Sequence, residues 1–496
     1  RVKYFWASYM KYLIKFGSEI TIKSDGVRKQ CIKRLKTNIL THLDYNEIDA
    51  KCSGNWDRLV VEVSDLEERE KVIEVLKSIS WIWYFSPVQA YSIDDSLTKE
   101  ELFKEIFQNT KAHFGKKIEG KSFVVRARRS GRHTFKSLEL EREIGGMLFE
   151  AAENTRVNLH NPDVMVELDV KDDTYYVIED KITGLSGYPI GFQDKVLSLI
   201  SGGFDSGVST QMMMNRGCKV DYLFFNLWGS AHELWVKQVS HYLWKTFSLP
   251  YKQARFLSVP FEWVVKEILT KVDHKYRAIV LKRLMLQLAS RISKKYYCWL
   301  VKGDSIGQVS SQTLKNMQAI DTASDVLVLR PLIGMNKQDI IDYSKKIGTF
   351  HFASSMPEYC GVISDKPSVW AELEDVLESE KNIDPKIISQ AYQNIVLESL
   401  SKMEFWSEDG WLEEVKELKQ EVIIDIREPD RVQKSPLSQK WYKNIETIPF
   451  YNINHSFKNL DQNKDYLLYC DKWVLSHLHG LYLREKWFSN IKVFRP

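Results

Sequence analysis

The stretch Ser201-Gly-Gly-Phe-Asp-Ser206 constrains the fold of this chain more than any other. It follows the apolar run Val196-Leu-Ser-Leu-Ile200 and precedes a segment of helical character, Gly207 to Arg216. A strand, a tight glycine turn and a helix start together make an anion site. Backbone N–H groups of the turn and the positive end of the helix dipole point at the same ligand. No lysine directly follows the glycines, which argues against the G-x-x-x-x-G-K-[ST] phosphate loop.

The rest of the chain fits a large multidomain enzyme. Its 496 residues suggest three or four domains of about 100–200 residues. At 44% hydrophobic and 27% charged it can bury several cores. A net charge of +4 is mild, so nucleic-acid affinity has to come from local patches. Cys31, Cys52, Cys218, Cys298, Cys360 and Cys470 are scattered without a C-x-x-C pair, which fits neither a disulfide framework nor a zinc site. No metal-ligand set is expected. No apolar run approaches the ~18 residues of a membrane span, and the N-terminus has no signal-cleavage pattern. A cytoplasmic protein with no membrane partner is expected.

Along the chain, Tyr12–Phe16 and Leu59–Val63 read as strands. Helices are expected from Val27 to Leu43, capped by Ser24 and Asp25, and from Leu66 to Ile79. This is a small α+β pattern. Phe123–Arg128 alternates, placing Arg126 and Arg128 on one strand face, and Arg129, Arg132 and Lys136 extend the charge into the following turn. A run of charge on its own is usually a solvated face. Clustering on one strand and its turn raises the phosphate-binding reading. Residues 177–350 alternate strands and helices as a doubly wound parallel sheet would, with strands at 196–200, 220–226, 297–301 and 326–330. Ligands of such sheets sit at the carboxyl ends of the strands. That rule gathers the turn at Gly203, Asn226 and the segment Gly303–Thr313 around one crevice. Residues 371–420 are helix-forming and read as a linker region. The tail returns to α/β, with strands at 422–426, 465–470 and 491–494 and a helix at 474–486.

These segments carry a family resemblance. S-G-G-x-D-S resembles the pyrophosphate loop of ATP pyrophosphatases. With Phe225-Asn-Leu227, Ala231-His-Glu233, Val239–Trp244, Gly307-Gln-Val-Ser-Ser-Gln-Thr-Leu314, Arg330-Pro-Leu332, Ser355–Ser364 and, in the tail, Asp425-Ile-Arg427, Asp461–Lys464 and Leu481–Glu485, the chain resembles the tRNA uridine 4-sulfurtransferases (4-thiouridine synthetases) over essentially its whole length. The resemblance implies an α/β multidomain enzyme. Residues 1–76 would be an N-terminal ferredoxin-like domain and 77–181 a THUMP domain that binds tRNA. Residues 182–395 would be the adenylating domain, 396–417 a helical linker and 418–496 a rhodanese domain. The family makes 4-thiouridine at position 8 of tRNA, and members with the rhodanese domain also pass sulfur to the sulfur carrier protein of thiazole (thiamine) synthesis.

The chemistry follows on these residues. A uracil carbonyl oxygen is a poor leaving group, so ATP converts it to an adenylate. The departing pyrophosphate then needs preorganised donors. Backbone N–H groups of Ser201, Gly202, Gly203, Phe204 and Asp205 would supply them, with the hydroxyls of Ser201 and Ser206 as adjuncts. Asp205 would organise the loop or a Mg²⁺ ion. Lys282, Gly303, Gln312 and Lys337 match family positions near ATP, and Leu199, Ile200, Phe225 and Asn226 would flank the adenine. Arg126, Arg128, Arg129, Arg132 and Lys136 would meet the tRNA. Cys470 ends an apolar strand, where amide donors and a helix start would stabilise a thiolate and hold a persulfide. In the family pattern Cys360 then closes a disulfide with Cys470 to release the sulfur. A cysteine desulfurase as sulfur donor and a homodimer also belong to what the resemblance implies.

Several positions depart from that pattern. Trp228, Trp235, Trp473 and Trp487 stand where small glycines are expected, His477 where arginine is and Lys302 where threonine is. Two other functions share part of the residues: a different ATP-dependent tRNA modifier, and a tRNA-binding protein without turnover. The cysteine pair and the tail argue against the first. An assay of pyrophosphate release with tRNA separates the second: binding without release would support it.

Overall fold

The computed structural model describes all residues except 1–9, 18, 20–21, 56–57, 65–66, 95, 228–229, 355–366, 404–411, 416–420, 428–431, 434, 438–443, 450–451, 454–455, 471–475, 477–478, 481–482, 485, 487 and 496. The chain divides into two compact units. One is Arg1–Phe192 with Asn215–Gly217, and the other is Gln193–Met214 with Cys218–Pro496.

The first unit runs β1 (Met10–Phe16), α1 (Asp25–Tyr45), β2 (Ala50–Asn55), β3 (Arg58–Val63), α2 (Arg69–Lys77), β4 (Ile82–Ser92), α3 (Lys99–Ile118), β5 (Ser122–Ser130), α4 (Ser137–Ala151), β6 (Arg156–Val157), β7 (Val164–Lys171), β8 (Thr174–Ile178) and β9 (Ile182–Thr183). Ser24 occupies the N-cap position of α1 but its side chain makes no capping bond. Thr98 does cap α3. Its hydroxyl accepts the Glu101 N–H, and the Glu101 carboxylate accepts the Thr98 N–H, a reciprocal pair that fixes the helix start.

All nine strands form one sheet, in the order β2-β3-β1-β4-β8-β7-β5-β6 with β9 beside β4. The boundary expected at 76/77 therefore falls inside α2 and inside the first of two hydrophobic cores, which takes in Leu76 and also Ile79, Trp81, Ile82 and Phe85, and it does not separate two sheets. One core joins α1 and α2 to β1 and β3, and the other joins α3 and α4 to β5, β7 and β8. A third, small cluster lies on the opposite sheet face: Leu13, Val60, Val88 and Ile178, with Tyr176. On that face Arg58 of β3 forms a buried ion pair with Asp169 of β7. Four strand spacings of ~4.8 Å separate β3 from β7 in a flat sheet. An arginine cannot bridge that distance, so the sheet curls until the two strands face each other. Removing one partner of a buried pair leaves an uncompensated charge, at a cost of about 3–5 kcal/mol. Arg58→Met is therefore expected to lower the denaturant midpoint of this unit in the intact chain, and Arg58→Met with Asp169→Leu to recover most of the loss. A single variant as stable as the parent would contradict this role.

The second unit opens with β10 (Lys195–Leu199), α5 (Phe204–Asn215), β11 (Lys219–Asn226), α6 (Ser230–Phe247), β12 (Arg255–Pro260), α7 (Glu262–Lys271), α8 (Arg277–Tyr296), β13 (Trp299–Val301), α9 (Leu314–Asp321), β14 (Val328–Leu329), α10 (Lys337–Lys346), α11 (Phe350–Ser354), α12 (Leu373–Glu380), α13 (Pro385–Gln393) and β15 (Val396–Ser399). The sheet order is β14-β13-β10-β11-β12-β15. The first five strands are parallel and β15 is antiparallel to β12. The chain steps outward from β10 to β12, then returns to the other side of β10 with β13. The strand order thus reverses between β10 and β13, where open α/β sheets bind ligands.

The helical linker expected at 396–417 is corrected by the fold. Val396–Ser399 is a strand that covers the edge of β12, Leu400–Lys402 is a single 3₁₀ turn, and Glu414–Val415 is a strand of the next sheet. Helix propensity is a weak prior, and pairing with an open sheet edge outweighs it here. The helices before it also bury side chains: Val376, Ile383 and Ala391 belong to the core under α7 and α8.

The tail holds β16 (Glu414–Val415), β17 (Val422–Asp425), β18 (Ile445–Thr447), β19 (Tyr466–Tyr469) and β20 (Ile491–Phe494) in a parallel sheet of order β16-β20-β19-β17-β18. Much of the helix expected at 474–486 lies outside the described residues. Among the described residues no helix is long and apolar enough to cross a membrane.

Candidate active site

The glycine loop joins β10 to α5 where the strand order reverses. Gly202 has φ +82°, a conformation that a side chain would strain. Ser206 pins the turn: its hydroxyl donates to the Gly203 carbonyl at 3.1 Å and accepts the Ser201 N–H at 3.2 Å. The Ser206 hydroxyl is thus spent inside the loop, whereas Ser201 stays exposed. The first intrahelical bond runs from Gly207 to Gly203, which leaves the amides of Phe204, Asp205 and Ser206 without a helical acceptor. Of the amides Ser201–Asp205 expected to face an anion, the Ser201 N–H is taken by Ser206, while those of Phe204 and Asp205 stay outside the helical ladder.

Gly303 explains why this loop has its shape. A Cβ at Gly303 would lie 2.7 Å from the Asp205 carbonyl and 3.0 Å from the Ser206 nitrogen. The chain leaving β13 therefore rests its bare backbone on the first turn of α5. Asp205 is held from two sides. Its Oδ1 accepts from Lys337 Nζ at 2.8 Å and its Oδ2 from Gln308 Nε2 at 2.7 Å. Lys337 starts α10, so residues 205, 303, 308 and 337 converge from three segments of the sequence.

A second hub lies behind it. Asp304 is buried at the end of β13. Its Oδ2 accepts from Lys302 Nζ at 3.0 Å and Arg330 Nε at 3.1 Å, and its Oδ1 from Gln312 Nε2 at 3.3 Å. Burial alone would raise the Asp304 carboxyl. Lys302, then Lys282 and Arg330, outweigh burial and hold it well below the usual carboxylate range. Arg330 also pairs with Asp321. The lysine at 302, which departs from the family pattern, is thus a partner of this hub.

On the other side of the crevice, α6 ties down two strand ends. His232 Nε2 lies 3.2 Å from the Ser201 carbonyl, and Asn226 Nδ2 donates to Glu233 at 2.9 Å. A carbonyl only accepts, so His232 carries its proton on Nε2. Burial lowers the imidazole below the ordinary histidine value, which keeps it neutral near pH 7. Phe225, expected beside a base, packs edge-on against Phe261 at 4.9 Å, and Ile200 is buried. Leu199 is partly buried against the same core. Trp235 sits buried, edge-on to Phe352 at 5.9 Å.

The structure thus gathers Ser201–Ser206, Gly303, Gln312 and Lys337, and brings Lys282 within electrostatic reach of Asp304. Lys302, Asp304, Gln308, Arg330, His232 and Glu233 were not singled out as site residues from the sequence. The motifs Gly307–Leu314, Arg330-Pro-Leu332 and Ala231-His-Glu233 were the available signal for four of them.

In the tail, Cys470 follows the central parallel strand β19 and is buried. Its Sγ accepts the Ser476 N–H at 3.4 Å. The neighbouring strand end carries a buried pair in which Arg427 Nη2 donates to Asp425 at 2.7 Å, and the Ile426 N–H donates to the Tyr469 carbonyl. Cys360, Trp228, Trp473, Trp487 and His477 lie outside the described residues.

In the first unit, Arg126 is half-buried and engaged with the Leu159 carbonyl at 2.9 Å and Glu141 at 3.6 Å. Arg129 donates to the Gly131 carbonyl at 3.0 Å. Arg128, Arg132 and Lys136 are exposed, and Arg128 and Arg132 have no ion pair among the described residues.

Comparison with known proteins identifies the setting of these groups. Residues 191–384 match the family model of the thiamine biosynthesis protein ThiI, and residues 100–180 match the THUMP domain. The tRNA sulfurtransferases of Salmonella paratyphi B and Salmonella schwarzengrund are each 42% identical over 503 residues, spanning 98% of this chain and 100% of theirs. The chain belongs to the tRNA sulfurtransferase family. It is accordingly an enzyme, with a THUMP domain and a ThiI-type PP-loop fold. The fold agrees with a crystal structure of a 4-thiouridine synthetase–RNA complex with bound ATP, at TM-score 0.67 and 23% identity over 78% of this chain and 99% of that one. PH1313 from Pyrococcus horikoshii also shares it, at TM-score 0.53 and 20% identity over 68% of this chain and 99% of that one.

Proposed function

We propose that this sulfurtransferase makes 4-thiouridine at position 8 of tRNA by adenylating the uracil oxygen with ATP. One observation carries the reading: the first turn of α5, with Asp205 clamped by Lys337 and Gln308, lies against Gly303 where the strand order reverses. The uracil O4 attacks the α-phosphorus and pyrophosphate leaves. The free amides of Phe204, Asp205 and Ser206 meet the charge that develops on it, and Lys337 is the cation at hand. Leu199, Ile200 and Asn226 would border the nucleotide, and Lys282 would add charge beside it. A Mg²⁺ ion would fit at Asp205, since magnesium is usually held by one or two carboxylates together with substrate phosphates. Its charge would offset that of the phosphates, and the Asp205 donors Lys337 and Gln308 would then turn to phosphate oxygens.

The tail would act as a rhodanese domain. The terminal sulfur of a Cys470 persulfide attacks C4 of the adenylated uracil, and AMP leaves. The Cys360 thiolate then attacks Cys470 Sγ, breaking the S–S bond and leaving the sulfur on the base. A thiol reductant restores the resulting disulfide. A cysteine desulfurase would load Cys470, and the same persulfide would serve the sulfur carrier protein of thiazole synthesis. We place the protein in the cytoplasm, where a homodimer is a further expectation.

The RNA half of the proposal rests on Arg128, Arg129, Arg132 and Lys136, with Arg126 as their support. Arg128→Ala with Arg132→Ala is expected to weaken tRNA binding and to flatten its dependence on salt. Each lost phosphate contact removes a log–log slope of about 0.9. Titrating the double variant with tRNA over a range of salt checks this. An unchanged slope would return these arginines to a solvated face.

A further inference from the structure

The chain that follows α10 packs against the start of α5 at two points. Thr349 is buried, and a Cβ at Gly207 would lie 3.8 Å from its hydroxyl. The next residue, Phe350, sets its ring 5.6 Å from that of Phe204, which stands in the phosphate loop between Gly203 and Asp205. The turn leading there has little freedom. The Thr349 N–H donates to the Ser344 carbonyl at 2.9 Å, and the Tyr242 hydroxyl donates to the Ile347 carbonyl at 3.0 Å. Gly348 has φ +76°, and a Cβ on it would run into the Tyr242 hydroxyl. Phe352 packs on the Tyr242 ring at 5.4 Å. Helix α11 is thus rooted between α5 and α6. The phosphate loop does not need Phe350 for its own shape, which Ser206, Gly303, Lys337 and Gln308 already set. What the ring contact fixes is α11. Ser354 ends that helix, and Cys360 follows six positions later. Even fully extended, six residues reach only about 20 Å.

We propose that Phe350 is a positioning residue for sulfur release: seated on Phe204, it roots α11 at the phosphate loop and so keeps Cys360 within reach of the Cys470 sulfur. The inference rests on the role given to Cys360 above. In that step the Cys360 thiolate bonds to Cys470 Sγ. The bond from Sγ to the transferred sulfur breaks, and its electron pair leaves on the sulfur attached to uracil C4. A tether makes this encounter intramolecular, so loosening it slows release and leaves adenylation untouched.

Single-turnover assays on the full chain test it, with Cys470 loaded through a desulfurase and no small thiol present. Phe350→Ala is expected to release pyrophosphate within about twofold of the parent rate and to slow the appearance of free 4-thiouridine by about tenfold or more. An added small thiol is expected to restore that release, because it replaces Cys360 as the attacking sulfur. Phe350→Leu keeps most of the volume without the ring and is expected to show the same split in smaller measure. It carries the test if the alanine variant fails to fold. Added to Cys360→Ser, Phe350→Ala is expected to slow release no further. A merely structural role would lower pyrophosphate release and 4-thiouridine by the same factor. That outcome, a further slowing in the double variant, or parental release of 4-thiouridine in the folded Phe350 variants overturns the proposal. If Cys360→Ser itself releases 4-thiouridine at the parental rate, the role of Cys360 falls and this inference with it. A slow Cys360→Ser beside a parental Phe350→Ala overturns this inference alone.

Discussion

Asp205→Ala is expected to cut 4-thiouridine formation by about 10²–10³-fold, the usual cost of losing one preorganised group at a developing charge, while tRNA affinity stays within about twofold of the parent. The separation follows from the structure. Asp205 belongs to the second unit, where it receives Lys337 and Gln308. The exposed arginines belong to the first. Without the carboxylate, Lys337 loses the partner that aims it and the loop loses its one acid in the first turn of α5. Single-turnover formation of 4-thiouridine, alongside tRNA titration of the same variant, checks both halves. A parallel fall in tRNA affinity would mean that Asp205 shapes the whole protein and not the phosphate loop alone.

Cys470→Ser is expected to abolish 4-thiouridine entirely while ATP-dependent release of pyrophosphate persists. Serine is nearly isosteric and its hydroxyl can still accept the Ser476 N–H. It cannot form a persulfide, because the reaction requires a sulfur nucleophile. Labelled sulfur offered through a desulfurase should no longer attach to the protein. Cys360→Ser should behave differently, accepting labelled sulfur on Cys470 but failing to release 4-thiouridine from it unless an external thiol is added. Persistent labelling of Cys470→Ser would move the carrier role to another cysteine.

The parts of this protein that were legible in the sequence are the local ones. The glycine loop, the strands that flank it and the helix after it are contiguous, and their chemistry is set by neighbours in the chain. The basic strand Phe123–Arg128 was legible for the same reason, since alternation is a local signal. What escaped depends on distant partners. Asp304 is one acid among many until Lys302, Arg330 and Gln312 close around it. Arg58 and Asp169 are 111 positions apart, and only the curl of the sheet joins them. Strand β12 was not expected, and β15 was read as linker, because its Val-Leu-Glu-Ser becomes a strand only against the open edge of β12. Arg126 was grouped with the free arginines, but Glu141 of α4 and the Leu159 carbonyl already occupy it.

The most direct test of the account is the stoichiometry of nucleotide use. With tRNA, a persulfide source and ATP labelled at the α-phosphate, the account predicts AMP, pyrophosphate and 4-thiouridine in equal amounts, with no pyrophosphate released when tRNA is omitted. Formation of ADP and phosphate, or of 4-thiouridine without consumption of ATP, would contradict adenylation of the uracil oxygen and with it the role assigned to the loop at Ser201–Ser206.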